Sequence, residues 1–332
     1  MIKNLRAGLV GLGMMGRHHA RVLASLEGVD LVAVSDPMGD QYGVAIGQEV
    51  LKSLDDLIKT GVDYVMVAAP TIFHEELGLK LADAGIHALI EKPLAINTPA
   101  AKKITAAFKA KGLIGAVGHI ERYNPALQQL RKRLDENEIG DVFQISTRRQ
   151  GPFPGRISDV GVIKDLATHD IDSTAWIARS KYFSVCARSA FKSGRVHEDM
   201  VAATCVLENG IVVNHLVNWL TPFKERVTVV TGERGTFVVD TLTADLTFYA
   251  NASVETQWDS VAAFRGVSEG NVIRYAFPKP EPLKTEHEAF RDAVLGLNGA
   301  LERIVTMEQG LATVAVADAI LESAKRKKSI EI

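Results

Sequence analysis

An apolar run from Arg6 to Val10 ends in Gly11-Leu12-Gly13-Met14-Met15-Gly16, and a stretch with helical spacing, Arg17 to Leu26, begins at once. A strand that must turn within a few residues into a helix packed on its own sheet has few solutions. Three glycines at this spacing belong to the βαβ unit that holds a dinucleotide. Gly11 permits the tight turn, Gly13 lets a pyrophosphate approach the backbone, and Gly16 lets the helix lie close to the strand. The helix start then offers unpaired amides and a partial positive charge to phosphates. Glycine triplets also arise by chance in turns; the strand before this one and the helix after it make it informative.

The same grammar continues to about Gly118. Short apolar runs, Leu31 to Ser35, Tyr64 to Ala68, His87 to Ile90 and Ile114 to Val117, alternate with helical segments, chiefly Glu75 to Ala84 and Pro99 to Lys111, the latter with Asn97 or Thr98 as N-cap. This pattern predicts a doubly wound parallel sheet, a Rossmann half. Asp36 ends the second strand about 20 residues beyond Gly16, where a carboxylate binds the ribose hydroxyls and repels a 2′-phosphate, so NAD rather than NADP is expected. Glu91-Lys92-Pro93 stops a buried strand at its carboxyl end, where such sheets expose ligand-binding groups.

After Asn124-Pro125 the pattern changes. One helical segment, Ala126 to Glu136, leads into strands Val142 to Arg148, Val201 to Leu207, Ile211 to Trp219, Arg226 to Thr231, Thr236 to Asp240 and Leu246 to Ala250. Asn209-Gly210 and Glu233-Arg234-Gly235 read as tight turns, which join antiparallel strands. The expected architecture is therefore α/β plus α+β: a Rossmann domain over residues 1–122, then a substrate-binding and oligomerisation domain over 123–332 with a large open antiparallel sheet. An uncovered sheet face wants a partner, so a homodimer or homotetramer is expected. Glu286 to Leu297 and Glu308 to Lys325 read as helices, while Pro278, Pro280 and Pro282 suit a loop or sheet edge.

The whole chain narrows the function classes. Its 332 residues favour two domains, and a formal net charge of -2 gives no global attraction for nucleic acid or anionic membrane. The basic run Lys325-Arg326-Lys327-Lys328 ends a helix, where cations complement the dipole. Cys186 and Cys205 match no metal spacing or disulfide framework, and His18 and His19 have no cysteine cluster or His-Glu-x-x-His beside them. With no signal peptide or spanning segment in view, a cytoplasmic protein is expected.

A second constellation is Asp165-Leu166-Ala167-Thr168-His169-Asp170-Ile171-Asp172. In a helix, Asp165, His169 and Asp172 share a face. A neutral imidazole can take the proton of a hydroxyl while hydride leaves the same carbon. By spacing alone these residues equally suit a metal site or an ordinary helix start with Asp165 on the dipole.

Gly11 to Gly16 with His19, Pro70-Thr71 with His74, Glu91-Lys92-Pro93, and Asp165 with His169 together resemble the Gfo/Idh/MocA family of oxidoreductases, in the right order over nearly the entire chain. That resemblance implies an active site in the cleft between the two domains and oxidation of a secondary hydroxyl of a sugar or cyclitol, with no metal. It implies that Lys92 lies beside the nicotinamide, that Pro93 follows a cis bond, and that His169 is the base with Asp165 in support. Lys92 would stabilise the developing alkoxide. Cofactor contacts are expected from Gly11, Gly13, Met14, Met15, Gly16, Asp36, Ala69, Thr71, His74, Glu91, Lys92 and Arg122. Substrate contacts are expected from Lys92, Tyr123, Arg149, Arg156, Asp165 and His169.

Within the family, Gly118 to Pro125, Asp159 to Asp172, and Asn218 to Pro222 with Lys224 and Arg226 are similar to the branch acting at the 3-hydroxyl of UDP-N-acetylglucosamine or its uronic acid. Arg148, Arg149 and Arg156 flank the loop Gly151 to Gly155, and arginine can grip phosphate through two parallel bonds, though loop arginines are also often merely solvated. The alternatives are a myo-inositol or free-sugar dehydrogenase and a non-enzymatic NAD-binding regulator; such regulators can lose the lysine and histidine that are both present here.

Overall fold

The computed structural model describes residues 4–45, 47–155, 160–251 and 270–332. Its first sheet holds β1 (Leu5–Val10), β2 (Val29–Ser35), β3 (Val50–Leu51), β4 (Tyr64–Val67), β5 (His87–Glu91) and β6 (Gly115–Gly118) in the order β3-β2-β1-β4-β5-β6, every pair parallel. The order reverses at β1, and its carboxyl end is where doubly wound sheets bind ligands. All four residues of β4 are buried, as a strand covered on both faces requires. Between the strands run α1 (Gly16–Ala24), α2 (Leu54–Lys59), α3 (His74–Asp83) and α4 (Thr98–Ala110). Of the two possible caps on α4, Asn97 is the one used: its side chain accepts from the Ala100 amide at 3.0 Å. β3 and α2 carry no expectation in the sequence pattern, since two and six residues are too short to display a period.

After α5 (Pro125–Asp135), the second sheet contains, among the described residues, β7 (Val142–Pro152), β8 (Tyr182–Ala190), β9 (Met200–Leu207), β10 (Val212–Asn218), β11 (Leu220–Gly232), β12 (Gly235–Asp240), β13 (Asp245–Ala250), β14 (Val272–Arg274) and β15 (Ile330–Glu331). Their order is β14-β13-β12-β11-β7-β10-β9-β8-β15. Asn209-Gly210 turns β9 into β10 as expected, with Gly210 at φ +85°. The sheet is mixed rather than wholly antiparallel, because β7 and β10 run parallel. From β7 the chain passes through α6 (Thr168–Ala178) and the β8–β9 pair, and this crossover returns β10 beside β7 in the same direction.

Register separates the two faces. Val185, Cys205, Val213, Ile145, Val230, Phe237 and Phe248 are successive cross-strand neighbours and all buried. One position along, Val212, Gln144, Thr231, Thr236, Tyr249 and Val272 form a row of exposed and half-buried residues. The first row is the core face.

Residues 1–120 and 280–318 cluster as one compact unit, and 121–279 with 319–332 as the other. A single division at residue 122 therefore misplaces 280–318. These residues carry α7 (Pro282–Val294) and most of α8 (Met307–Arg326). Phe290 meets Tyr64 edge-on at 5.3 Å, and Asp318 accepts from both the amide (2.8 Å) and the hydroxyl (2.7 Å) of Thr98. These contacts span more than half the chain, so no local pattern announces them.

Under the second sheet lies a buried relay. His215 on β10 meets Thr147 Oγ1 at 2.7 Å through Nδ1 and the Tyr182 hydroxyl at 2.8 Å through Nε2, and that hydroxyl donates to Ile171 O of α6 at 3.3 Å. One donor and one acceptor suit a neutral ring. Burial lowers His215 from 6.5 to about 4, so between those values the unfolded chain binds a proton that the folded protein refuses. Stability from this group is flat above about pH 6.5 and falls as pH drops towards about 4, by up to about 3 kcal/mol. Urea unfolding at about pH 7 and about pH 4.5 should show a smaller acid-induced loss in His215→Gln than in the parent.

Candidate active-site residues

In the first unit the glycine turn has the cradle its sequence promised. Gly11 sits at φ +90°, and a Cβ there would press on the Ala68 backbone at 2.7 Å. A Cβ on Gly16 would run into the Gly11 carbonyl oxygen, so both positions exclude any side chain. Gly13 is different: nothing lies within 4 Å of where its Cβ would stand. Two glycines are required by the protein's own packing, and the third faces open space where a ligand can meet backbone. Met15 stands at the N-cap of α1 without a side-chain cap; its carbonyl accepts from the His18 amide at 2.9 Å, and the Arg17 amide donates to Gly13 O at 3.1 Å. These residues fit a dinucleotide.

Asp36 is half-buried at the end of β2. Its Oδ2 accepts from the Leu12 amide at 2.8 Å and its Oδ1 from the Met38 amide at 2.9 Å. The carboxylate thus braces the glycine turn. Ala69 and Thr71 lie in the turn after β4, both half-buried.

Two expected cofactor contacts have other partners. His74 is 1% exposed, with Nε2 at 2.9 Å from Ala69 O and Nδ1 at 3.0 Å from Pro93 O. Burial lowers its basicity, and a neutral ring can donate to only one of these carbonyls. It staples the turn after β4 to the turn after β5. Glu91 is likewise interior: His19 Nε2 lies 2.9 Å from its Oε1, and the Lys92 amide donates to its Oε2 at 2.9 Å. Burial works to raise the Glu91 pKa, but His19 and Lys92 together hold it below the usual value. Lys92 itself is half-buried, and the Lys92–Pro93 peptide is cis.

In the second unit, β7 runs towards a wide π-type turn, Ile163–Ala167, that feeds directly into α6. Such turns disturb helix phase and recur at functional positions. Glu198 clamps the entry: its side chain accepts from the Ile163 amide at 3.0 Å and its carbonyl from Val162 at 3.0 Å. Gly161 is tied to this clamp, because a Cβ there would strike the Glu198 carboxylate. Asp165 on the turn and His169 on α6 are both buried, at 6% and 9% exposure.

Asp172 does not join them as a third reactive group. It takes both ends of the Arg122 guanidinium, Nε to Oδ2 at 2.7 Å and Nη2 to Oδ1 at 2.6 Å. Arg122, expected at the cofactor, is committed to that bidentate pair in the interior. Arg149, expected at the substrate, is 3% exposed and bonds Asp170 at 2.8 Å and Glu121 at 2.9 Å. Burial opposes its charge, yet Asp170 and Glu121 raise its basicity. The guanidinium is thus held between two carboxylates of its own unit. Arg148 pairs with Glu225 at 2.8 Å. Tyr123 is buried, and Arg156 lies outside the described residues.

Sequence reasoning missed Glu198 and His287 and gave Asp170 no role of its own. Glu198 has no periodic signal, and the contact of His287 with His19 spans 268 positions. Among the described residues no group of three or more His, Cys, Asp or Glu has metal-holding geometry, and no helix is long and apolar enough to cross a membrane.

Comparison with known proteins bears on both units. The model of the GFO_IDH_MocA oxidoreductase family, NAD-binding Rossmann fold, matches residues 5–119, and the GFO/IDH/MocA C-terminal domain matches 127–238. UDP-N-acetylglucosamine 3-dehydrogenase of Acidithiobacillus ferrooxidans is 31% identical over 214 residues, 64% of this chain and 66% of the relative. scyllo-Inositol 2-dehydrogenase (NAD(+)) of Bacillus subtilis is 31% identical over 195 residues, 56% of this chain and 57% of the relative. The matches thus span 66% and 57% of these curated relatives, less than two thirds of either. The solved structure of the A. ferrooxidans enzyme, GnnA, superposes with a TM-score of 0.83 at 26% identity, covering 97% of this chain and 98% of that one.

Proposed function

Because the chain belongs to the Gfo/Idh/MocA family of oxidoreductases with an NAD-binding Rossmann fold, we propose that it is an NAD-dependent dehydrogenase of a secondary sugar hydroxyl. The substrate proposed is a UDP-N-acetylhexosamine or its uronic acid, oxidised at the 3-hydroxyl. The observation that carries the reading is Lys92 at the carboxyl end of β5, in the sheet whose β1 end carries the open glycine cradle. The substrate class is supported by the likeness to UDP-N-acetylglucosamine 3-dehydrogenase in sequence and structure.

Gly11, Gly13 and Gly16 with the α1 amides would hold the pyrophosphate, and Asp36 the adenosine ribose, excluding a 2′-phosphate by charge. Met14, Met15, Ala69 and Thr71 would line the cofactor. NAD, when bound, supplies the hydride acceptor. His169 takes the hydroxyl proton, its ring held in a buried setting by α6. The Lys92 ammonium opposes the negative charge that grows on the substrate oxygen, and Asp165 orients the reacting group. The protein would act in the cytoplasm as a homodimer or homotetramer, the exposed row on the second sheet being the surface that favours self-association.

A second reading, an inositol or free-sugar dehydrogenase, is favoured by two observations. Several relatives are inositol 2-dehydrogenases, one at 33% identity over 201 residues, and Arg148 and Arg149 are both committed to carboxylates. A panel of UDP-N-acetylglucosamine, its uronic acid, inositols and free sugars, assayed with NAD and NADP for reduced cofactor, separates the two. Turnover of the UDP-sugars with NAD is expected; turnover of inositol alone supports the second reading, and tighter binding of NADPH than NADH would refute the role of Asp36.

A further inference from the structure

Behind Glu91 lies a buried chain of imidazoles that the proposed chemistry does not use. His19 of α1 is 0% exposed and His287 of α7 is 0% exposed. His19 Nε2 lies 2.9 Å from Glu91 Oε1, and His19 Nδ1 lies 2.9 Å from His287 Nε2, the two rings meeting edge to face at 69°. Glu91 Oε2 accepts from the Lys92 amide.

One set of tautomers, with both rings neutral, satisfies these contacts. Glu91 is held ionised by its donors, so His19 Nε2 carries the hydrogen that faces it. Burial, then the neighbouring His19, lowers His287 well below its ordinary value, so its ring is neutral with a single N–H. Its Nδ1 has no hydrogen-bond partner among the described residues. Placing the hydrogen on Nε2 gives His19 Nδ1 a donor and leaves a bare nitrogen at the unpartnered position. Donors then run one way, from His287 to His19 to Glu91, with the Lys92 amide closing on the same carboxylate from the other side.

We propose that His19 and His287 form a positioning relay that pins the Glu91 carboxylate and thereby sets the Lys92 side chain for the reaction. The relay joins α1, the end of β5 and α7, three elements of one unit. Its functional meaning rests on the role proposed for Lys92. Without the His19 donor, Glu91 is a buried carboxylate whose next cation along the chain is Lys92. Turning onto that ammonium would keep it protonated and hold it away from the substrate.

The test needs no substrate. Lys92 acetylation by limiting acetic anhydride is followed by peptide mass spectrometry, with exposed Lys59 and Lys80 as internal references. His287→Leu removes the donor at nearly constant volume, and His287→Gln returns an N–H near the Nε2 position. Lys92 labelling is expected to slow by about threefold or more in the leucine variant and to recover in the glutamine variant, with the references unchanged. Should His287→Leu not fold, as judged by circular dichroism, His19→Leu gives the same slowing. Unchanged or faster Lys92 labelling, or equal slowing in the glutamine variant, overturns the relay. If no sugar is oxidised, the labelling result still stands, so failure of the relay and failure of the dehydrogenase reading are told apart.

Discussion

Replacing Lys92 by methionine, or His169 by alanine, should lower kcat on the order of a thousandfold while the dissociation constant of NADH changes by less than about threefold. Methionine keeps the length and apolar stem of lysine but loses the charge that meets the developing alkoxide, so the deficit falls on the transition state more than on ground-state binding. Alanine at 169 removes the group proposed to take the proton, and water is a poor substitute in so buried a position. Cofactor affinity should survive because the pyrophosphate cradle at Gly11, Gly13 and Gly16 and the Asp36 carboxylate belong to a different part of the first unit's strand ends. Steady-state kinetics on whichever sugar is oxidised, together with NADH fluorescence titration, give the two numbers. Retention of most activity in either variant would refute its assigned role.

Arg149→Ala should cost about 3 to 5 kcal/mol of stability, the largest single loss expected outside the hydrophobic cores. The guanidinium on β7 is nearly sealed from water and balances Glu121 and Asp170. Removing it leaves two carboxylates inside the fold, with the half-buried Arg226, 3.5 Å from Glu121, as a remaining cation. Lysine at 149 should recover only part of the loss, since an ammonium cannot offer Nε to one acid and Nη1 to another in fixed geometry. Urea unfolding followed by circular dichroism at neutral pH checks both variants. A loss below about 1 kcal/mol in Arg149→Ala would mean that the pair is solvated and that the arginine is available for a ligand after all.

What could be read from the sequence was what is decided within about a dozen residues. The glycine turn, the Asn97 cap and the Asn209-Gly210 hairpin each depend on backbone preferences of adjacent residues, and most strands announce themselves by apolar runs or alternation, whereas β3, β8, β14 and β15 carry no expectation. What the sequence left unread has a different origin. Arg122, Arg149, His74 and Glu91 are charged or polar residues beside a recognisable motif, which makes them look like ligand contacts. Whether such a residue faces outwards or inwards depends on partners such as Asp172, Asp170, the Pro93 carbonyl and His19, and tertiary packing alone brings those partners near. The parallel pairing of β7 with β10 escaped for the same reason, as no turn connects them directly.

The return of residues 280–318 to the first unit has a consequence for how the chain is made. As synthesis proceeds, β1 to β6 leave the ribosome long before the segment that covers Tyr64 with Phe290 and supplies Asp318 to Thr98. Domains that are contiguous in sequence can finish folding while translation continues. This one must wait with an incomplete surface through the whole of the intervening sheet, which itself lacks its edge strand β15 until the chain's last residues are made. Neither unit is complete before the last part of the chain has been made, so both mature late.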